Sequence, residues 1–125
     1  MVSPNSGLTP CGVRMNDELR DPNLAVDYIL ANAGKFAAAK AQRVYLEEFR
    51  KSKKVLLMGQ SDEKSAVSRE QFAYSHPEYI TLLEGLKAAI EVEENIRWHM
   101  TAAQLRIDIW RSQEASNRNQ DKVMR

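Results

Sequence analysis

A chain of 125 residues with 43% hydrophobic and 28% charged residues has room for one globular domain and is too apolar to be a disordered chain. A formal net charge of +1 makes no overall demand for a nucleic acid or an anionic membrane. The single cysteine, Cys11, excludes an intrachain disulfide framework and a cysteine-based zinc site.

Residues 1 to 20 carry Pro, Gly, Ser and Asn without periodicity and read as a disordered leader, and Met15 would also make a sensible start to the protein. The N-terminus lacks the basic start and apolar core of a secretory signal, and no apolar run approaches the roughly 20 residues that span a bilayer. A cytoplasmic location is expected.

Asp21-Pro22 has the form of a helix opening, a capping side chain followed by proline at the first helical position. A short amphipathic helix with Leu24, Tyr28 and Ala31 on one face should end at Asn32-Ala33-Gly34. A second helix is expected from Lys35 to about Met58. It is rich in alanine, shows a seven-residue rhythm through Ala38, Tyr45, Phe49, Ser52 and Leu56, and is stopped by Gly59. Asp62 or Ser65 can cap a third, short helix reaching about Tyr74.

Ser75-His76-Pro77-Glu78 then has the spacing of a capping box, with Ser75 as cap and Glu78 reaching back to it. The long helix that starts there should run to about Asn117. Leu82, Leu86, Ala89, Glu93, Ile96, Met100, Ala103, Ile107 and Trp110 alternate in steps of four and three, a heptad seam with Glu93 as its one charged member. Leu83, Ile90, Leu105 and Ile109 widen the seam into a broad apolar face. The expected fold is all-α, an antiparallel hairpin or bundle of about four helices within residues 21–117, with one long C-terminal helix. Residues 118–125 should form a frayed polar tail. A helix of roughly 60 Å is too long for a second helix of some 36 Å to cover. The uncovered end, at Met100, Ala103, Ile107 and Trp110, is therefore a candidate interface for a partner or a second copy.

No reaction is encoded recognisably. The residue three before His99 is Ile96 and three before His76 is Ala73, so the Glu-x-x-His of di-metal bundles is missing; no metal or cofactor is expected. Neither a nucleophile elbow nor a glycine-rich phosphate loop occurs, and the adjacent pairs Glu47-Glu48 and Glu93-Glu94 point about 100° apart on a helix. The protein reads as a non-enzyme. Charge is nonetheless unevenly placed. Lys40, Arg43, Arg50, Lys51, Lys53 and Lys54, with Arg106, Arg111 and Arg118, are candidate phosphate contacts for DNA. The competing reading pairs these cations with the acidic first half of the long helix, bringing Lys53 close to Glu78 and Glu84. On the residues alone this structural reading is favoured.

The runs Arg43-Val44-Tyr45-Leu46-Glu47-Glu48-Phe49-Arg50-Lys51-Ser52, Tyr74-Ser75-His76-Pro77-Glu78-Tyr79 and Trp110-Arg111-Ser112-Gln113-Glu114-Ala115-Ser116-Asn117-Arg118 resemble a group of small helical proteins encoded in bacteriophage and prophage genomes. The resemblance covers about residues 16 to 125. It implies a setting among early replication and recombination genes, and it carries no catalytic residue over to this chain. Two expectations follow. One is an accessory protein of phage DNA metabolism that binds DNA or a DNA-processing protein. The other is a protein-interaction module, an inhibitor of a host factor or an assembly piece, acting through Ile107 and Trp110.

Overall fold

The computed structural model describes residues 21–124; the expectations for the leader, Met15 and Cys11 lie outside them. Three helices follow one another: α1, Pro22–Gln60; α2, Ala66–Ser75; and α3, Pro77–Met124. No strand occurs among the described residues. The helices form two compact units, one of residues 35–95 and the other of residues 21–34 with 96–124.

Asp21 caps α1 as its sequence suggests, its side chain accepting from the Asn23 N–H at 2.8 Å and its carbonyl from the Ala25 N–H at 3.0 Å. The expected break at Asn32-Ala33-Gly34 is absent, and α1 is one helix of 39 residues. A helical glycine costs only about 1 kcal/mol relative to alanine, and the alanines on either side offset it. Asn32 donates its side-chain amide to the Tyr28 carbonyl at 2.9 Å, inside the helix rather than as a terminus. There are therefore three helices where about four were expected. α1 has 39 residues and α3 has 48, so the length difference from which a second chain was expected is smaller than the sequence suggested.

Ser65 caps α2, accepting from the Ser68 N–H at 3.0 Å. The joint between α2 and α3 departs from the expected capping box. The Ser75 hydroxyl donates backwards to the Gln71 carbonyl at 2.8 Å and so closes α2. The cap of α3 is His76, whose Nδ1 accepts from the Glu78 N–H at 3.1 Å and whose carbonyl accepts from Tyr79 and Ile80. Pro77 explains why the chain breaks here. A residue before proline is pushed out of the helical region, and His76 has φ −68° and ψ 135°. Pro77 then occupies the first helical position, where its missing N–H costs nothing. At its other end α3 continues past Asn117 to Met124, through the stretch expected to fray.

The seam on α3 is the buried face. Leu86, Glu93 and Ala103 are buried; Leu82, Ala89, Ile96, Met100 and Ile107 are half-buried; Trp110 alone is exposed. Its expected flanks are not covered, since Leu83, Ile90, Leu105 and Ile109 are exposed. On α1 the buried face is not the expected Ala38–Tyr45–Ser52 rhythm. It is a heptad path through Ala25, Ile29, Asn32, Phe36, Ala39, Arg43, Leu46, Arg50, Lys53 and Leu57, all buried or half-buried. Within residues 35–95 the core is Leu57, Ala73 and Tyr79, with Met58 packed against it.

Replacing His76 with Ala removes the α3 cap and should cost about 1 kcal/mol in a denaturant titration. His76→Asn should keep most of that stability, and Ser75→Ala should leave the cap intact.

Candidate interaction site

Within residues 35–95, α1 and α3 are joined by charge. Glu93, 1% exposed, lies in the α3 seam. The Arg43 guanidinium donates to it from Nε and, at 3.2 Å, from Nη2. Nη1 of the same arginine donates to Glu47 one turn along α1 at 3.0 Å. Two carboxylates therefore share one planar fork, a geometry that lysine cannot supply. The hydrogen bonds to Glu93 and then to Glu47 raise the Arg43 pKa further, so the guanidinium is charged at any working pH.

The other cations near this seam are also engaged. Lys53 meets Glu78 at 2.9 Å, as expected from the pairing of the two helices, although Glu84 has no such contact with it. Lys54 reaches Glu70 on α2 at 3.2 Å and lies 4.9 Å from the centre of the Tyr74 ring. Hydrogen bonding with the Tyr74 side chain first, and then with Glu70, raises the Lys54 pKa. Lys51 approaches Glu48 on its own helix at 3.4 Å, an exposed pair of little energetic weight. Arg50, Lys51 and Lys54 border a cleft of about 530 Å³ floored by Val55, Met58, Tyr74 and Tyr79.

The proposed DNA-contacting residues thus do not form one free basic face. Arg43, Arg50 and Lys53 belong to the seam of α1, whereas Lys40 and Lys51 are exposed on its flank. Arg106, Arg111 and Arg118 are in the other unit. There Arg111 and Arg118 share a helix face, and Arg106 points about 140° away from Arg111. Arg111 is 4.0 Å from Asp108.

The proposed partner interface divides in the same way. Ala103 is buried within the chain, and Met100 and Ile107 are half-buried. Trp98, Leu105 and Ile109 share one face of α3 and are each more exposed than Trp110, which is 43% exposed and points about 100–140° away from them. Leu105 and Ile109 read in the sequence as residues that widen the seam, and Trp98 carries no periodic signal of its own. In the same unit Tyr28 faces His99 with ring centres 6.4 Å apart, and Ala25 is fully buried.

Among the described residues no group of three or more His, Cys, Asp and Glu side chains is placed to hold a metal ion, and no helix is long and apolar enough to cross a membrane. No protein-family model, curated protein or solved structure matches this chain.

Two outcomes are expected. Arg43→Met strands the Glu93 carboxylate in the seam and should lower the melting temperature by on the order of 10 °C, whereas the double variant Arg43→Met with Glu93→Leu should recover most of the loss. Lys53, and more weakly His76, holds the Glu78 carboxyl below its usual value of 4.5. Its contribution is therefore complete above about pH 4.5 and is lost as the pH falls through the lowered folded value. Thermal melts between neutral pH and pH 3 should show that loss, and Glu78→Gln should reduce it.

Proposed function

We propose that this chain is a non-enzymatic helical-hairpin module that captures a protein partner through the C-terminal half of α3. The observation that carries the reading is a contrast. Three of the nine cations expected to meet phosphates are held by carboxylates of the fold: Arg43 by Glu93 and Glu47, Lys53 by Glu78, Lys54 by Glu70. Large apolar side chains, by contrast, are left facing solvent at Trp98, Leu105, Ile109 and Trp110. Aromatic anchors of this kind dominate binding energy at protein interfaces, whereas a compensated cation has little to offer a phosphate.

The resemblance to phage- and prophage-encoded helical proteins suggests the class of partner, a DNA-processing protein or a host factor in the cytoplasm. In this reading the protein serves DNA metabolism through another protein and makes no primary contact with DNA. Exposed Lys40, Arg111 and Arg118 assist encounter with an acidic partner rather than reading a duplex.

Affinity capture from infected or lysogenic cells with the wild-type chain and Trp110→Ser tests this. The substitution should remove the captured protein and leave helical content unchanged. Fluorescence anisotropy at low salt should show no binding of single- or double-stranded DNA at micromolar concentration. Tight DNA binding with a steep salt dependence would overturn the reading in favour of direct DNA binding.

A further inference from the structure

The two sides of the α1–α3 pair within residues 35–95 differ in chemistry. In an antiparallel pair sharing a heptad seam, residues just before the same seam position on each helix fall on the same side. On α1 that side passes through Tyr45, Phe49, Ser52 and Leu56, and every position along it from Ala38 to Gly59 is uncharged. On α3 it passes through Thr81, Gly85, Ala88 and Val92 without a charge, and the Lys53–Glu78 pair borders it at the turn end. The opposite side carries Glu47, Lys51 and Lys54 on α1 and Lys87 and Glu94 on α3. There α2 lies against α1, through the Lys54–Glu70 contact.

The uncharged side is also open. Tyr45 is 60% exposed, Leu56 58% and Val92 53%. The Tyr45 and Phe49 rings stack 5.8 Å apart, within 6° of parallel, and form an aromatic ridge. Beside it, on α3, the side chains are small. A Cβ added at Gly85 would meet nothing within 4 Å beyond its own helical turn.

We propose that this face binds a second copy of the same chain, the aromatic ridge of each α1 lying over the small residues of the other's α3 around a two-fold axis, to give a four-helix core. Such an isologous contact requires one surface to carry both the ridge and its receptor, and this face does. Small residues let helices approach closely and large ones fill the gap, as ridges pack into grooves. From Ala38 to Gly59 the face runs roughly 30 Å, and two packed helices present roughly 20 Å across, giving about 600 Å² per copy. The total of about 1,200 Å² lies at the lower edge of the standard range of about 1,200–2,000 Å². The need is evident too, since the buried apolar side chains of this unit are only Leu57, Ala73, Tyr79 and Leu86. A mate would supply the core that two helices and a short third one lack. This face shares no residue with the surface around Trp110, so either proposal can fail without the other.

Sedimentation equilibrium of the full chain should give a dimer at micromolar concentration, with a melting temperature that rises with protein concentration. Gly85→Leu should weaken association at least ten-fold without loss of helical content, because leucine favours a helix and the space beside Gly85 is empty in the single chain. Tyr45→Glu should act in the same direction, and Lys87→Glu, on the opposite side, should leave the dimer intact. A chain that stays monomeric at high concentration overturns the proposal. So does a dimer that survives both Gly85→Leu and Tyr45→Glu, or one that Lys87→Glu breaks as readily.

Discussion

Burying Glu93 is the constraint around which α1 and α3 are arranged. A carboxylate removed from water is tolerated only where a counter-charge and hydrogen bonds replace the solvent. Arg43 supplies both. Sliding α1 by one heptad would set either Phe36 or Arg50 at the level of the carboxylate; Phe36 offers no charge, and Arg50 would come with Lys54 rather than Glu47 one turn along. The pair adds little net stability compared with a leucine–leucine contact, and it disfavours registers that leave Glu93 without a cation. The Lys53–Glu78 contact marks the same alignment nearer the turn.

Most of α3 is legible in the sequence because its seam is hydrophobic and its periodicity unmistakable. The seam of α1 is not, because Asn32, Arg43, Arg50 and Lys53 occupy half-buried positions and dilute the apolar signal. The eye is drawn instead to Tyr45, Phe49 and Leu56, which keep a seven-residue rhythm on the wrong side of the helix for packing within the chain. Glu93 is the clue that was available: a lone acid in an otherwise apolar seam implies a base at the matching level of the neighbouring helix, and Arg43 is there. Two local signals also misled for physical reasons. Glycine weakens a helix without ending it when neighbours compensate, and a serine before His-Pro can close the preceding helix as easily as it can open the next.

The candidate sites divide along the same line. Lys and Arg counted along a sequence register charge but not its compensation, and a carboxylate fifty residues away is invisible to that count. The apolar surface suffers the opposite error. Leu105 lies on the helix face opposite the seam and Ile109 about 130° from its centre, and packing within the chain leaves both exposed. Function in this fold therefore depends less on which residues are present than on which are left over after the helices have satisfied one another.

The division into two units has a kinetic consequence. Residues 35–95 are continuous along the chain, so their contacts close loops set by α2 and its two turns. The other unit joins the first part of α1 to the last part of α3 and must close a loop containing the whole of the first. Loop entropy favours the local contacts over the distant pairing. Assembly should begin at the Leu57–Ala73–Tyr79 cluster and proceed away from the turns. Ala25 and Ala103 would be among the last side chains to leave water in folding and among the first to return to it when the ends open.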